Sequence, residues 1–207
     1  MDGGAVATLP QLAEALAPHD GRSVSTLRVV AQTLRNAGFM SVGRAGRGAL
    51  HMGPEDCAAL VLAGLWTDAP CASPRAVEVL SGLKRLPAPP APNIPRSLFL
   101  VTEMPTFGET VSSLIEYGRL IRKQVGGACI ELSVDRLLPN AALALVDPLG
   151  RRCIVARWCV NANKLMAGHH RPETRTAVDR RHTTTITGTT LFALSDLIPR
   201  ESVREAA

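Results

Sequence analysis

Five arginines, Arg22, Arg28, Arg35, Arg44 and Arg47, fall between Gly21 and Pro54, and no aspartate or glutamate lies among them. A guanidinium presents a planar fork of donors that matches a phosphate or the acceptor edge of guanine, and a glutamine amide pairs in the same way with adenine. Arg28, Gln32 and Arg35 stand at i, i+4 and i+7, the spacing that places side chains on one stripe of an α-helix. Ser23, Ser25 and Thr26 come at the start of that stripe, where hydroxyls and unpaired backbone N–H groups meet phosphates, and Arg22 lies just ahead of them. Arg44 and Arg47 sit in the run Gly43-Arg44-Ala45-Gly46-Arg47-Gly48-Ala49, whose glycines let a tight tip approach a duplex closely. A solvated helix face or a plain surface loop uses the same residue types. The two features side by side, with the acids missing, favour phosphate neutralisation and base reading.

Other chemistries find less support. His169-His170 with Cys153 and Cys159 match no zinc-ligand spacing, and the two cysteines read as small buried apolar residues. Ser195-Asp196 lies in no nucleophile-elbow motif, and Glu55-Asp56 reads as the acidic first turn of a helix. The glycine run lacks the Gly-Lys-Ser/Thr of a phosphate-binding loop. No catalytic residue, metal ligand or cofactor is expected.

The elements that must position the arginines follow from periodicity. Leu9 to Ala17 has Leu9, Leu12, Ala13 and Leu16 at helical spacing, with a break expected at Pro18-His19-Asp20-Gly21. A second helix is predicted over about Val24 to Asn36, stopping at Ala37-Gly38. Phe39 to Met52 reads as two short strands around the glycine-rich tip, a candidate wing. A third helix opens at Gly53-Pro54-Glu55-Asp56 to pack beneath the reading elements, and Ser73 to Leu86 reads as a fourth.

Closely spaced prolines over 87–96 predict an extended spacer between a first domain, 1–86, and a second, 97–207. In the second, Ser97 to Thr102 reads as a strand and Thr106-Phe107-Gly108-Glu109 as a capping box opening a helix that ends at Gly126-Gly127. Ile130 to Asp135 alternates as a half-buried strand, and Ala141 to Val146 and Arg152 to Val160 form a hairpin around Asp147-Pro148-Leu149-Gly150. Asn161 to His182, with five Lys+Arg and two Asp+Glu, reads as a polar arm whose Arg171, Arg175, Arg180 and Arg181 form a second basic cluster. Thr183 to Thr190 reads as extended and Leu191 to Ile198 as helical. The fold class expected is α+β, with an antiparallel sheet backed by a helix.

Composition agrees. The chain has 207 residues, 46% apolar and only 3% aromatic, which suits an aliphatic core and disfavours readers that stack bases on aromatic rings. Its net charge of +5 favours an acidic partner. The first 86 residues carry eight Lys+Arg against seven Asp+Glu, so segregation and not excess makes the basic surface. Five scattered cysteines without a CxxC pair read as reduced thiols in a cytoplasmic protein, and no apolar run approaches the roughly 20 residues of a membrane span.

Leu12 to Trp66 resembles a winged helix-turn-helix module, on the residues Thr26-Leu27-Arg28, Leu34-Arg35-Asn36-Ala37-Gly38-Phe39 and Arg44-Ala45-Gly46-Arg47-Gly48-Ala49, in forms met in bacterial and phage regulators. The resemblance covers about a quarter of the chain. It implies base contacts from Ser25, Thr26, Arg28, Gln32 and Arg35 and backbone contacts from Arg44 and Arg47. The turn from Pro18 to Ser23 is longer than in simpler repressors of this kind. The second half resembles no known family.

The function expected is sequence-specific binding of double-stranded DNA by a transcriptional regulator, working as a homo-oligomer, with a dimer favoured. Two alternatives stand beside it: a phage-type DNA-packaging recognition subunit resembling a small terminase, and a ligand-sensing or protein-adaptor module. The second domain is then the place for self-association or a protein partner.

Overall fold

Leu12, Ala13 and Leu16 are buried on one side of α1 (Leu9–Asp20), and the helix opens on a reciprocal pair in which Gln11 Oε1 accepts from Thr8 N and Oγ1, both at 2.9 Å. This helix runs past Ala17 with Pro18 inside it, contrary to the expected break. A proline so near the C-terminus removes one intrahelical bond only, and the helix closes where the Gly21 N–H donates to Ala17 O at 3.2 Å with φ 78°. The connection to α2 (Val24–Asn36) is therefore three residues, Gly21-Arg22-Ser23, and not the long turn expected. Leu27, Val30, Ala31 and Leu34 form the buried face of α2. It ends in a Schellman motif: Gly38 at φ 81°, Gly38 N to Arg35 O at 3.0 Å and Phe39 N to Leu34 O at 2.9 Å.

The structure, a computed structural model, describes residues 8–42, 52–87, 94–136, 139–160 and 183–198. Phe39-Met40-Ser41-Val42 is bend and loop, not the first strand of a wing, and Met52 is not in a strand either. The tip with Arg44 and Arg47 lies outside the described residues, as does the polar arm 161–182 with its basic cluster and His169-His170.

Helix α3 (Pro54–Trp66) is buried along nearly its whole length from Asp56 to Leu65 and forms the centre of the molecule, packing on α2, α4 (Ser73–Ser81) and α6 (Phe107–Glu116). α4 is shorter than expected, because Lys84–Arg85 leaves the helix to pair as β1. Ser97 to Thr102 is not a strand. It lies in helix α5 (Arg96–Thr102), with Ser97, Leu98, Val101 and Thr102 buried at helical spacing. A continuous apolar run fits a buried strand or a buried helix face equally, and packing decides. The Thr106 capping box forms as expected, with Glu109 N donating to Thr106 Oγ1 and Glu109 Oε2 accepting from Thr106 N at 3.0 Å. The long helix divides at Tyr117 into α6 and α7 (Gly118–Val125).

The sheet is antiparallel throughout, in the order β1-β4-β3-β2-β5, with β2 Cys129–Asp135, β3 Asn140–Val146, β4 Arg152–Cys159 and β5 Thr183–Thr187. Its register aligns Val134, Ala141 and Trp158 across the face that meets the helices. The β3–β4 turn is held by Asp147, whose Oδ1 accepts from the N–H groups of Leu149 and Arg151 at 2.9 Å each; these bonds and the Arg151 guanidinium hold its carboxyl below the usual range. α8 (Gly188–Leu197) begins three residues earlier than expected, directly from β5. The α+β class and the helix-backed antiparallel sheet agree with the sequence reading.

Buried apolar residues form one cluster from Leu12 to Leu194 that includes both sides of the proline-rich stretch 87–96. β1 from the first half lies beside β4, α3 meets α6, and α1 meets α8. Arg136, after β2, donates from Nε to Leu65 O at 3.1 Å and so caps the C-terminus of α3 from the sheet side. No described helix is long and apolar enough to cross a membrane.

Candidate nucleic-acid interface

Tertiary structure sorts the expected contact residues into three groups. Arg22 turns inward. Its Nη2 donates to Asp20 Oδ2 at 2.8 Å, its Nε pairs with Asp20 Oδ1, and its Nη1 reaches Thr67 O at 3.5 Å, with the two charged side chains only 12% and 10% exposed. The pair lies on Gly64 of α3, where an added Cβ would come within 2.5 Å of Asp20 Oδ2. Arg22 is thus a clamp of the α1–α2 turn, its guanidinium paired with Asp20 and largely withdrawn from solvent instead of standing free for a phosphate.

The second group faces solvent along α2. Ser25, Arg28, Gln32 and Asn36 are exposed, and Val29, 54% exposed, lies among them. Ser23 caps the helix: its Oγ accepts from Thr26 N at 3.1 Å and lies 2.8 Å from Ser25 Oγ and 2.9 Å from Thr26 Oγ1. Three hydroxyls are therefore gathered at a helix N-terminus, with Ser23 and Ser25 exposed and Thr26 partly so. Gln32 Nε2 donates to Asn36 Oδ1 at 2.9 Å, which orders two amides on one face. Arg28 Nη2 is 3.7 Å from Glu14 Oε1 on α1, with both side chains more than half exposed. Such a pair contributes at most about 1 kcal/mol, so a base edge or phosphate can replace it.

Arg35 belongs to the third group, at the margin. Its Nε is buried without a partner among the described residues, and its Nη2 lies 3.6 Å from Met52 Sδ. It adjoins the base of the glycine-rich stretch. Arg44 and Arg47 lie outside the described residues.

The acid-free stretch is accordingly not acid-free in space, since α1 brings Asp20 to Arg22 and Glu14 to Arg28. Charge spacing along a chain carries no information about which neighbouring helix supplies the counter-ion.

Asp56 has a larger positional role than its helix-start reading. It is 5% exposed, its Oδ1 accepts from Ser41 N at 2.7 Å and its Oδ2 from Gly53 N at 3.0 Å. One carboxylate thereby ties together the two backbone points that flank the arginine-bearing glycine run. Its place at the third position of α3, where a carboxylate reaches back to the cap, was the available sequence signal; the Ser41 contact had none. Val29 was also missed, as an apolar residue on a stripe read for its polar members.

Elsewhere the cysteines are all unpaired. Cys57 is buried and its thiol is pushed up to about 12, first by burial and then by the charge of Asp56, so it is an inert packing residue. Cys159 is buried as expected, whereas Cys153 is exposed and is no core residue. Among the described residues no three His, Cys, Asp or Glu side chains converge as metal ligands. No protein-family model, curated protein or solved structure matches the chain, so its site is read from its own geometry.

Proposed function

We propose that the protein binds double-stranded DNA sequence-specifically through α2 and acts as a cytoplasmic transcriptional regulator of bacterial or phage type. The observation that carries this reading is the three-residue α1–α2 turn, clamped by Arg22 and Asp20, which leaves the Ser23–Asn36 face of the second helix unpacked. Helix-turn-helix proteins use such a short turn, often containing glycine, to present a recognition helix to the major groove. On that face Arg28 suits guanine, Gln32 suits adenine, and Val29 suits a thymine methyl group. The hydroxyls of Ser23, Ser25 and Thr26, with the free N–H groups of the first turn, suit a phosphate. Arg35, in the last turn of α2, adds a phosphate contact, and on the sequence reading alone Arg44 and Arg47 add wing contacts. A single short helix seldom supplies both affinity and specificity, so two copies on paired half-sites complete the reading.

Selection of bound duplexes from a random pool, followed by fluorescence anisotropy, tests it. The expected outcome is one enriched motif, with Arg28→Ala weakening binding to that motif by about 1–3 kcal/mol while leaving nonspecific binding nearly unchanged. Failure to enrich any motif, or a motif that Arg28→Ala binds as tightly as the parent, overturns the proposal.

A further inference from the structure

A groove of about 450 Å³ lies between α3, α4 and α6, on a surface separate from the exposed face of α2. Ala59, Leu62 and Phe39 contribute to its apolar floor, and Ser112 on α6 is too small to fill it. Three carboxylates, Glu55, Glu109 and Glu116, stand along it, and among the described residues no lysine or arginine lines it, although the chain carries a net charge of +5.

Glu55 and Glu116 have neither a hydrogen bond nor an ion pair among the described residues, while Glu109 Oε2 is taken by Thr106 N at 3.0 Å and Thr106 Oγ1 at 2.7 Å. Glu116 is moreover the last residue of α6, whose final turn holds no basic residue. A carboxylate there adds to the negative end of the helix dipole, the place where a cation is stabilising. The carboxylates are spread along the groove and do not converge into a cluster able to hold a metal ion. Separated charges over an apolar floor call for an elongated cation with a hydrocarbon body.

We propose that this groove binds an aliphatic polyamine, its methylene segments on Ala59, Leu62 and Phe39 and its ammonium groups at Glu55, Glu109 and Glu116. The volume lies within the range of small-ligand sites, roughly 300–1,000 Å³. The proposal stands independently of DNA binding.

Titration of the full-length chain with spermidine at physiological salt, without nucleic acid, tests it by calorimetry and by chemical-shift changes. Saturable binding with one site per chain is expected. The isosteric double substitution Glu55→Gln with Glu116→Gln should weaken it about tenfold, and Ser112→Trp should abolish it by filling the groove. Glu78→Gln, on the exposed Arg75–Glu78 pair, should leave it unchanged. Circular dichroism confirms that each variant is folded, and the glutamine pair carries the test should the tryptophan variant not fold. The proposal is overturned by absence of saturable binding, by equal binding of magnesium, by affinity unchanged in the glutamine pair, or by a lysine-bearing amphipathic peptide binding there where spermidine does not.

Discussion

Two of the arginine–aspartate seams among the described residues differ in what surrounds them. At the α1–α2 turn, Arg22 and Asp20 are two residues apart in sequence, nearly buried, and seated on Gly64. At the α7–α8 seam, Arg119 and Arg122 reach 74 to 77 residues along the chain to Asp196 at 3.0 and 3.1 Å, and all three side chains are a third to a half exposed. Gly118 allows that approach, since a Cβ on it would lie 2.8 Å from Ser195 Cβ. The first seam shapes a turn from inside, where water cannot replace a lost partner. The second joins distant elements at the surface, where water and salt can. Arginine is thus a structural residue in one place and close to interchangeable in another, and the surrounding dielectric decides which.

The largest expected effect is at the buried seam. Arg22→Ala leaves Asp20 unpaired at the C-terminal end of α1 and should cost about 3 kcal/mol of unfolding free energy, measured in urea. A loss below about 0.5 kcal/mol would place Arg22 among the exposed arginines and break the comparison. Gly118→Ala comes next. Its methyl group meets Ser195 Cβ, so α7 and α8 must separate, at about 1–3 kcal/mol, seen as a lowered melting temperature. An unchanged melting temperature would mean that the contact of these helices is not set by the glycine. The smallest effect is expected from Asp196→Asn, below about 1 kcal/mol and further reduced in high salt, because both of its arginine partners are open to water. A loss as large as that of Arg22→Ala would show the outer seam to be as protected as the inner one.

Elements whose signals are local were legible. Thr106 and Glu109 close the start of α6, Gly38 ends α2, and Asp147 to Gly150 turns the hairpin, each through bonds within a few residues. The alternation of Ile130, Leu132 and Val134 likewise marked β2 with its buried face. Residues 97–102 were misread because Ser97, Leu98, Val101 and Thr102 become a helical face only against the neighbours that bury them. Pro18 misled for a related reason: one lost bond is outweighed where Leu12, Ala13 and Leu16 anchor the rest of α1. Of the candidate site, the Ser23, Ser25, Arg28 and Gln32 stripe was legible from helical spacing. The withdrawal of Arg22 and the bridging by Asp56 were not, since each depends on a partner from another element or on the fold of a turn.

By itself the sequence determined the helical stripe of α2, its hydroxyl-bearing start, the hairpin and the α+β class, because periodicity and capping act over one or two turns of chain. Only the tertiary structure decided which arginines keep their charge for a partner. It placed Asp20 and Glu14 beside Arg22 and Arg28, sank one pair and left the other in water. It also set Glu55, Glu109 and Glu116 along one groove. Coulomb interactions depend on distance and on the surrounding medium, and both are settled when helices pack and not when residues are strung in order.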